Sequence, residues 1–260
     1  MNIDNSRVCV ISGRYPHTTF ESYINHKAYC DRHGYAYIHC NWPTGAKNPY
    51  YNKLRYLKAY APYFDYLFWI DDDAFFLEVD TPLDFLFPQE DEFLSICRGP
   101  DFKNIKTVIS SGQFLLRCND VGRAFLDAAE KIDLASVKAW WPAEFGFFSN
   151  GDQDAMIYLI ETDSSFRKVA FHDYRQFNSR IENLLAGECP FLIHFTGPSK
   201  RKQRTWRQAQ KLLNRPPSLL PLHVERTLSV PRPRFKFLPM PIKRAGRAAY
   251  AALRRCAEWT

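Results

Sequence analysis

Five consecutive apolar residues, Tyr66–Ile70, lead directly into three aspartates, Asp71, Asp72 and Asp73. A short apolar run with aromatic and β-branched side chains is typical of a strand buried inside a sheet. Three adjacent carboxylates at its end repel one another unless a cation lies among them. The pattern therefore predicts a buried strand that is followed either by a solvated turn or by a site where Asp71 and Asp73 share a hard ion, Mn²⁺ or Mg²⁺.

Strand-like and helix-like segments alternate along the first 200 residues. The chain opens with a strand at 7–12, a helix that Thr18 or Thr19 can cap and Gly34 can stop, and a strand at 35–40. The other predicted strands are 66–70, 93–98, 113–117, 167–171 and 191–195, and the other predicted helices are 51–60, 120–132, 152–162 and 203–214. This alternation predicts an α/β fold with a mainly parallel central sheet, whose active site lies beyond the carboxyl ends of the strands.

Charge is distributed unevenly along the 260 residues. Residues 1–197 carry 19 Lys and Arg against 26 Asp and Glu, a net charge of −7, whereas residues 198–260 carry 16 against 2, a net charge of +14. After residue 214 the sequence becomes basic and rich in Pro, and it loses the apolar periodicity of a core. We therefore predict a folded domain at 1–214 and a basic tail at 215–260, in which 242–256 can form a helix.

The tail allows two interpretations. It can be a disordered, solubilising segment, or its cations can hold the protein on an anionic membrane surface, at about 1 kcal/mol per Lys or Arg near the leaflet. The seven Cys include no C-x-x-C pair and lie mostly in apolar contexts, which is typical of buried free thiols in a reducing compartment. No apolar signal segment is visible at the N-terminus. These features predict a cytoplasmic protein, peripheral on the inner face of the cytoplasmic membrane.

Three further segments carry residues that are able to do chemistry. His194 lies in the apolar run 191–195, where it can be a core histidine or an imidazole ligand for Mn²⁺. Asp152 and Gln153 precede an apolar helix, and Asp152 can either serve the helix N-terminus or act at a reaction centre. Lys53 lies on a predicted helix, where a lysine is usually solvated.

Taken in order, these segments resemble the galactosyl-, mannosyl- and xylosyltransferase family that includes yeast Golgi α-galactosyl and α-mannosyl transferases and plant xyloglucan xylosyltransferases. The resemblance extends over residues 23–197. It is carried by the segments 25–35, 52–54, 66–75, 111–117, 151–158 and 194–197. Two positions depart from the family: Ser110 stands where Asn is usual, and Lys200 comes one residue later than the family's lysine after His-Phe-x-Gly.

The resemblance implies a GT-A fold, an α/β nucleotide-binding architecture with a mixed, mainly parallel sheet flanked by helices. It also implies a retaining transfer from a nucleotide-sugar, UDP- or GDP-linked, assisted by Mn²⁺ or Mg²⁺. In that scheme Asp71, Asp73 and His194 hold the ion, while Asp152 and Gln153 face the anomeric carbon. The residues that the resemblance assigns to the nucleotide-sugar are Lys53, Ser12, Asp72, Gly197 and Lys200.

The sequence thus favours a glycosyltransferase that moves a hexose or pentose onto a glycan or lipid-linked glycan in bacterial cell-surface polysaccharide or lipopolysaccharide assembly. A metal-dependent phosphoryl-transfer enzyme or phosphohydrolase, built on Asp71 and Asp73, is the first alternative. A non-catalytic protein that binds an anionic polymer through its tail is the second. No RNA- or DNA-binding motif is present, so we expect no nucleic-acid partner.

Overall fold

A computed structural model of the chain describes residues 3–16, 20–101 and 106–228. Within these ranges the strands are β1 (Val8–Gly13), β2 (Ala36–Cys40), β3 (Tyr66–Ile70), β4 (Ala74–Phe76), β5 (Leu94–Arg98), β6 (Ile109–Arg117), β7 (Val169–His172) and β8 (Leu192–His194). Six of them form a central sheet in the order β2-β1-β3-β6-β5-β7, and β4 and β8 form a small second sheet.

Helices connect and cover the strands. Their bounds are α1 (Ser22–His33), α2 (Asn52–Tyr60), α3 (Asp120–Lys131), α4 (Leu134–Trp140), α5 (Asp152–Thr162), α6 (Tyr174–Phe177), α7 (Ile181–Leu185), α8 (Ser199–Leu213) and α9 (Leu222–Thr227). Helix α1 ends where the sequence indicates, because Gly34 takes a left-handed φ of 72° that favours glycine. The expected caps Thr18 and Thr19 lie outside the described residues.

The central sheet is mainly parallel, as the sequence predicts. Strand β1 runs parallel to both β2 and β3, and β5 runs parallel to β7. Strand β6 is antiparallel to both of its neighbours, β3 and β5. The order therefore mixes parallel pairs at both edges with one antiparallel strand in the middle, next to the strand that carries the three aspartates.

The sequence did not indicate the small sheet of β4 and β8. Its antiparallel register pairs Ala74 with His194 and Phe76 with Leu192. A cluster of buried side chains holds this sheet to α8, and it includes Phe75, Ile193 and Ala209, with Trp206 packed against it. Helix α8 begins at Ser199, four residues earlier than the predicted start at 203, so its first turn reaches the end of β8.

The chain continues to pack after residue 214, where we predict the domain boundary. Leu219 and Leu220 are fully buried, and contacts group residues 1–226 into one unit. The predicted tail helix at 242–256 lies outside the described residues. Five of the six cysteines that the structure describes are buried free thiols, and Cys189 is exposed. None of the helices in the described ranges has the length and apolarity needed to cross a bilayer.

Candidate active site

The three aspartates and His194 meet where β3 ends. Asp71–Asp73 form the link from β3 to β4, and the pairing of Ala74 with His194 brings the histidine next to Asp73. The backbone carbonyl of Gly112 on β6 accepts a hydrogen bond from Asp71 N at 2.8 Å, which fixes the start of the link. Residues far apart in sequence thus converge at the carboxyl end of a buried strand, the expected position of an active site.

Asp71, Asp73 and His194 form a compact group of possible ligands. One ligand atom from each lies within 4.8 Å of the others. His194 Nε2 lies 3.0 Å from Asp73 Oδ1 and 3.6 Å from Asp71 Oδ2. Asp73 and His194 are buried, whereas Asp71 is half-exposed. The three side chains predicted to hold an ion are therefore brought together, with the open side at Asp71.

A buried amide fixes the tautomer of His194. The Nδ1 atom of His194 lies 3.0 Å from Oδ1 of Asn178, and the same oxygen accepts a hydrogen bond from Nη1 of Arg180 at 2.5 Å. Because arginine can only donate, Asn178 must turn its oxygen toward both partners. His194 Nδ1 must then carry the proton, and Nε2 presents a lone pair to the carboxylates. Burial lowers the pKa of His194, which also favours this neutral ring.

This arrangement fits a divalent cation. Asp73 Oδ1 accepts no hydrogen bond from the residues that the structure describes, and it faces the Nε2 lone pair of a neutral His194. Two lone pairs 3.0 Å apart repel each other, and an ion between them removes that repulsion. Two carboxylates and one imidazole are a ligand set suited to Mn²⁺, and the carboxylates alone suit Mg²⁺.

Gly112 allows this close packing. A Cβ atom at residue 112 would lie 2.5 Å from Cε1 of His194 and 3.2 Å from Oδ2 of Asp71. The first distance is far below van der Waals contact, so any larger residue would push the imidazole or strand β6 aside. Glycine is therefore needed at residue 112 because the β6 backbone passes so close to His194 and Asp71, and not because of its own dihedral angles.

Lys202, on the first turns of α8, contacts the same aspartate from the other side. Its Nζ donates to Oδ2 of Asp73. Burial would raise the pKa of Asp73, but the ammonium of Lys202 beside it favours the charged carboxylate and lowers that pKa. Burial would likewise lower the pKa of Lys202, but Asp73 beside it raises the pKa above its ordinary value. Both groups are therefore charged, as an ion pair.

Lys53 lies at the centre of a second polar group beside the first. Its Nζ forms an ion pair with Asp152 Oδ2 at 2.8 Å, donates a hydrogen bond to the carbonyl of Ser111 at 2.7 Å, and lies 3.6 Å from Asp71 Oδ1. Burial would lower the pKa of Lys53, but Asp152 and Asp71 raise it above its usual value. Trp69 Nε1 donates to Asp71 Oδ1 at 2.7 Å and orients that carboxylate. The interpretation of Lys53 as a solvated lysine is therefore wrong.

The two acidic residues at the start of α5 have different roles. Asp154 accepts hydrogen bonds from the backbone of Ser149 and Gly151 and so stabilises the helix N-terminus, whereas Asp152 is buried in the ion pair with Lys53. Gly151 is the N-cap residue of α5, and Asp152 is an acidic residue of its first turn. Gln153 is half-buried, and its Oε1 accepts a hydrogen bond from Ser111 N at 3.2 Å. Gln153 thus contacts the β6 segment that carries Gly112, and Asp152 is linked to that segment through Lys53.

The remaining predicted binding residues lie in different environments. Ser12 is fully buried and pairs with Ile70, one residue before Asp71. Asp72 is buried, and burial together with the charges of Asp73 and Asp71 raises its pKa to about 7. Gly197 and Lys200 are exposed, and within the described part of the chain Lys202 is the lysine that reaches Asp73.

Four residues of this site were missed by sequence reasoning: Gly112, Asn178, Arg180 and Lys202. Gly112 lies inside the segment 111–117 that carries the family resemblance, but a glycine gives no sign of which side chain passes over it. Asn178 and Arg180 act only through the fold, which places the turn before α7 against β8. Lys202 lies in a run of cations, Lys200–Lys202, in which the sequence alone does not distinguish the one that contacts Asp73.

The fold is that of the GT-A glycosyltransferases. Residues 2–95 match the sequence model of the galactosyl transferase GMA12/MNN10 family. This match covers less than half of the chain and confirms, over that part, the resemblance drawn from its motifs. Together with the fold, it makes the chain a glycosyltransferase. No curated protein matches the sequence.

Solved structures with this fold are distant in sequence. A glycosyltransferase involved in the glycosylation of the major capsid of PBCV-1 is 13% identical, with a TM-score of 0.57 over 76% of this chain and 98% of its own. GlyE of Streptococcus pneumoniae TIGR4 is 13% identical, with a TM-score of 0.47 over 78% and 60%. The galactosyltransferase LgtC, solved with donor and acceptor sugar analogues, is 13% identical, with a TM-score of 0.44 over 86% and 98%.

Proposed function

We propose that this glycosyltransferase moves a hexose or pentose from a UDP- or GDP-linked donor onto a glycan acceptor with the help of Mn²⁺ or Mg²⁺. The observation that carries the proposal is the group of Asp71, Asp73 and His194 at the carboxyl end of β3. These three side chains would hold the ion. When bound, the ion would offset the negative charge that develops on the departing diphosphate.

We propose that the transfer retains the anomeric configuration and occurs on one face of the sugar. The bond from C1 to the phosphate oxygen breaks, and its electron pair goes to that oxygen. The acceptor hydroxyl oxygen bonds to C1 from the same face, and its proton passes to the departing phosphate oxygen. The side-chain oxygen of Gln153 supports the cationic C1, since its position is fixed by the backbone N–H of Ser111.

The alternative retaining route uses Asp152 as a nucleophile that forms a covalent glycosyl intermediate. Its carboxylate is engaged by the ammonium of Lys53 at 2.8 Å, and this ion pair weakens it as a nucleophile. We therefore favour the same-face route. Proton NMR of the product linkage tests retention itself, because an inverted product contradicts both routes.

Screening UDP- and GDP-sugars for Mn²⁺-dependent turnover tests the proposed reaction. We expect release of the nucleoside diphosphate and the sugar, or transfer when an acceptor is present. Release of inorganic phosphate instead would favour the metal-dependent phosphohydrolase, which the same carboxylate pair could also serve. Turnover that is insensitive to removal of divalent ions by a chelator would contradict the role given to Asp71, Asp73 and His194.

We further propose that the acceptor belongs to bacterial cell-surface polysaccharide or lipopolysaccharide assembly. The net charge of +14 over residues 198–260 supports a location on the inner face of the cytoplasmic membrane, where cations are attracted to anionic lipid. A lipid-linked glycan would be presented to the enzyme at that surface.

A further inference from the structure

Lys202 and the proposed ion bind to the same carboxylate. Asp73 presents Oδ1 to His194 Nε2 at 3.0 Å, and its Oδ2 accepts a hydrogen bond from the ammonium of Lys202. The Asp73 side chain is 4% exposed, whereas that of Lys202 is 23% exposed. The carboxylate is therefore enclosed in the protein, and the ammonium reaches it from the solvent side.

A buried carboxylate needs a compensating positive charge, because an isolated charge in the protein interior is strongly unfavourable. Lys202 supplies that charge to Asp73 in this structure. A divalent ion held by Asp71, Asp73 and His194 would supply it instead. The ammonium would then lie beside a double positive charge, so the attraction that holds it at Asp73 would be replaced by repulsion.

We propose that Lys202 is a built-in competitor of the metal ion, which holds Asp73 while the ion is absent and leaves it when the ion binds. The released ammonium, still attached to α8 at the edge of the site, is then free to pair with an anion, and the diphosphate of the donor is the anion that the reaction brings there. The inference rests on the proposed function, because it requires both the ion and a diphosphate donor.

The surroundings of Lys202 allow its side chain to move while the helix stays in place. Its neighbour Arg201 pairs with Glu182 on α7 at 3.2 Å. One and two turns further along α8, Thr205 and Ala209 are buried against the body of the domain. Only rotations within the lysine side chain are needed to take the ammonium from Asp73 toward solvent.

A consequence is that the ion and the diphosphate bind cooperatively. The ion favours the state in which Lys202 has left Asp73, and a diphosphate that pairs with the ammonium favours the same state. Two ligands that favour one state each increase the other's affinity by the same factor. Lys202 would thereby keep the affinity for the free ion low and raise it when the donor is present.

Replacing the lysine with a neutral residue of similar length tests the proposal. We expect Lys202→Met to bind Mn²⁺ alone about tenfold more tightly than the wild-type protein, since the competing ion pair is gone. The affinity of UDP or GDP at saturating Mn²⁺ should fall about tenfold, since the second cation is gone as well. Electron paramagnetic resonance of free Mn²⁺ measures the first quantity, and calorimetry measures the second.

Two matched variants serve as controls. Lys211→Met removes an exposed cation from the same helix and should change neither affinity. Lys202→Arg keeps the charge and should bind Mn²⁺ within about threefold of the wild-type protein; it also keeps the proposal testable if the Met variant does not fold. Mn²⁺ affinity that is unchanged or lower in Lys202→Met would overturn the proposal, as would a tenfold gain in Lys202→Arg.

The experiment separates this inference from the proposed function. If the wild-type protein binds no Mn²⁺ with or without UDP or GDP, the metal-assisted function itself is wrong. If it binds Mn²⁺ and diphosphate together but Lys202→Met behaves like the wild-type protein, only the role of Lys202 is wrong. A purely structural role for the ion pair would lower stability in Lys202→Met without the opposite changes in the two affinities.

Discussion

Two side-chain amides, those of Asn178 and Gln153, hydrogen-bond to groups of the candidate active site without carrying charge. Asn178 receives hydrogen bonds from His194 and Arg180 on one oxygen, and Gln153 receives one from the backbone of Ser111. An amide oxygen in such a position sets the direction of its partner while leaving the local charge unchanged. The site therefore depends on residues that a search for acids, bases and metal ligands passes over.

Asn178→Leu is expected to lower the affinity for Mn²⁺ about 10- to 100-fold, because the residue that fixes the tautomer of His194, the proposed histidine ligand, is lost. The leucine removes the acceptor for His194 Nδ1–H, so that nitrogen-15 NMR should show the ring populating both tautomers. Asn178→Asp is the matched control, since it keeps the acceptor oxygen and should retain both the single tautomer and most of the affinity. Equal Mn²⁺ affinity in the Leu variant and the wild-type protein would show that Asn178 does not control metal binding through the tautomer of His194.

Gln153→Ala is expected to reduce kcat by about 10- to 100-fold while donor binding changes little, because an oxygen that stabilises a developing cation acts mainly in the transition state. Steady-state kinetics with the donor identified by screening, together with calorimetry of the same donor, separate the two effects. Gln208→Ala, an exposed amide on α8, is the control and should change neither quantity. A loss confined to donor affinity would make Gln153 a binding residue.

At the scale of elements, the site depends on how closely β6 passes the link between β3 and β4. Gly112 is the point of closest approach, and a side chain there meets His194 and Asp71. Gly112→Ala is therefore expected to lower stability by about 1–3 kcal/mol and to weaken Mn²⁺ binding by at least about tenfold. Chemical denaturation and Mn²⁺ titration measure the two effects.

Gly34→Ala provides the comparison for that variant. Gly34 ends α1 in a left-handed conformation, so alanine there should cost about 1 kcal/mol of stability without reaching the metal-binding group. If both variants lose the same stability and neither changes Mn²⁺ affinity, the packing of β6 against His194 does not control the site.

Much of the fold could be predicted from the sequence because its elements carry local signals. Strand β3 has the predicted bounds because its sequence is a short apolar run. Helix α5 also has the predicted bounds, because it begins with an acidic first turn. Strand β4 could not be predicted, because its three residues become a strand only by pairing with β8, some 120 residues later. The same pairing places Asp73 beside His194, so the site's geometry depended on a contact that no local pattern shows.

Helix α8 illustrates the other limit of sequence reasoning. Its first turn, Ser199–Lys202, is entirely polar, so no apolar periodicity marks its start. The predicted start at 203 therefore placed Lys200 and Lys202 in a loop, where the sequence does not show which of the two lysines turns toward the site. Only the docking of α8 through Thr205 and Ala209 decides that Lys202 turns toward Asp73 and Lys200 toward solvent.

At the scale of the whole molecule, an acidic body is joined to a basic C-terminal region. Removing residues 231–260 is expected to release the protein from vesicles of phosphatidylglycerol and phosphatidylethanolamine at low salt, because eight of the sixteen Lys and Arg beyond residue 197 are lost. Transfer to a soluble acceptor should be unchanged. Vesicle sedimentation of the full-length protein and of the truncated protein measures this release. Equal binding of the two proteins would show that residues 231–260 are not the anchor.

In the proposed function, Asp71, Asp73 and His194 hold a divalent ion through which a nucleotide-sugar's diphosphate is bound. Calorimetry of UDP and GDP, with and without Mn²⁺, on the wild-type protein and on Asp73→Asn tests it most directly. We predict binding of at least one of the two nucleotides that requires Mn²⁺ in the wild-type protein and is lost in Asp73→Asn, with both proteins giving the same circular dichroism. Unchanged Mn²⁺-assisted binding in the folded variant would contradict the assignment of the site.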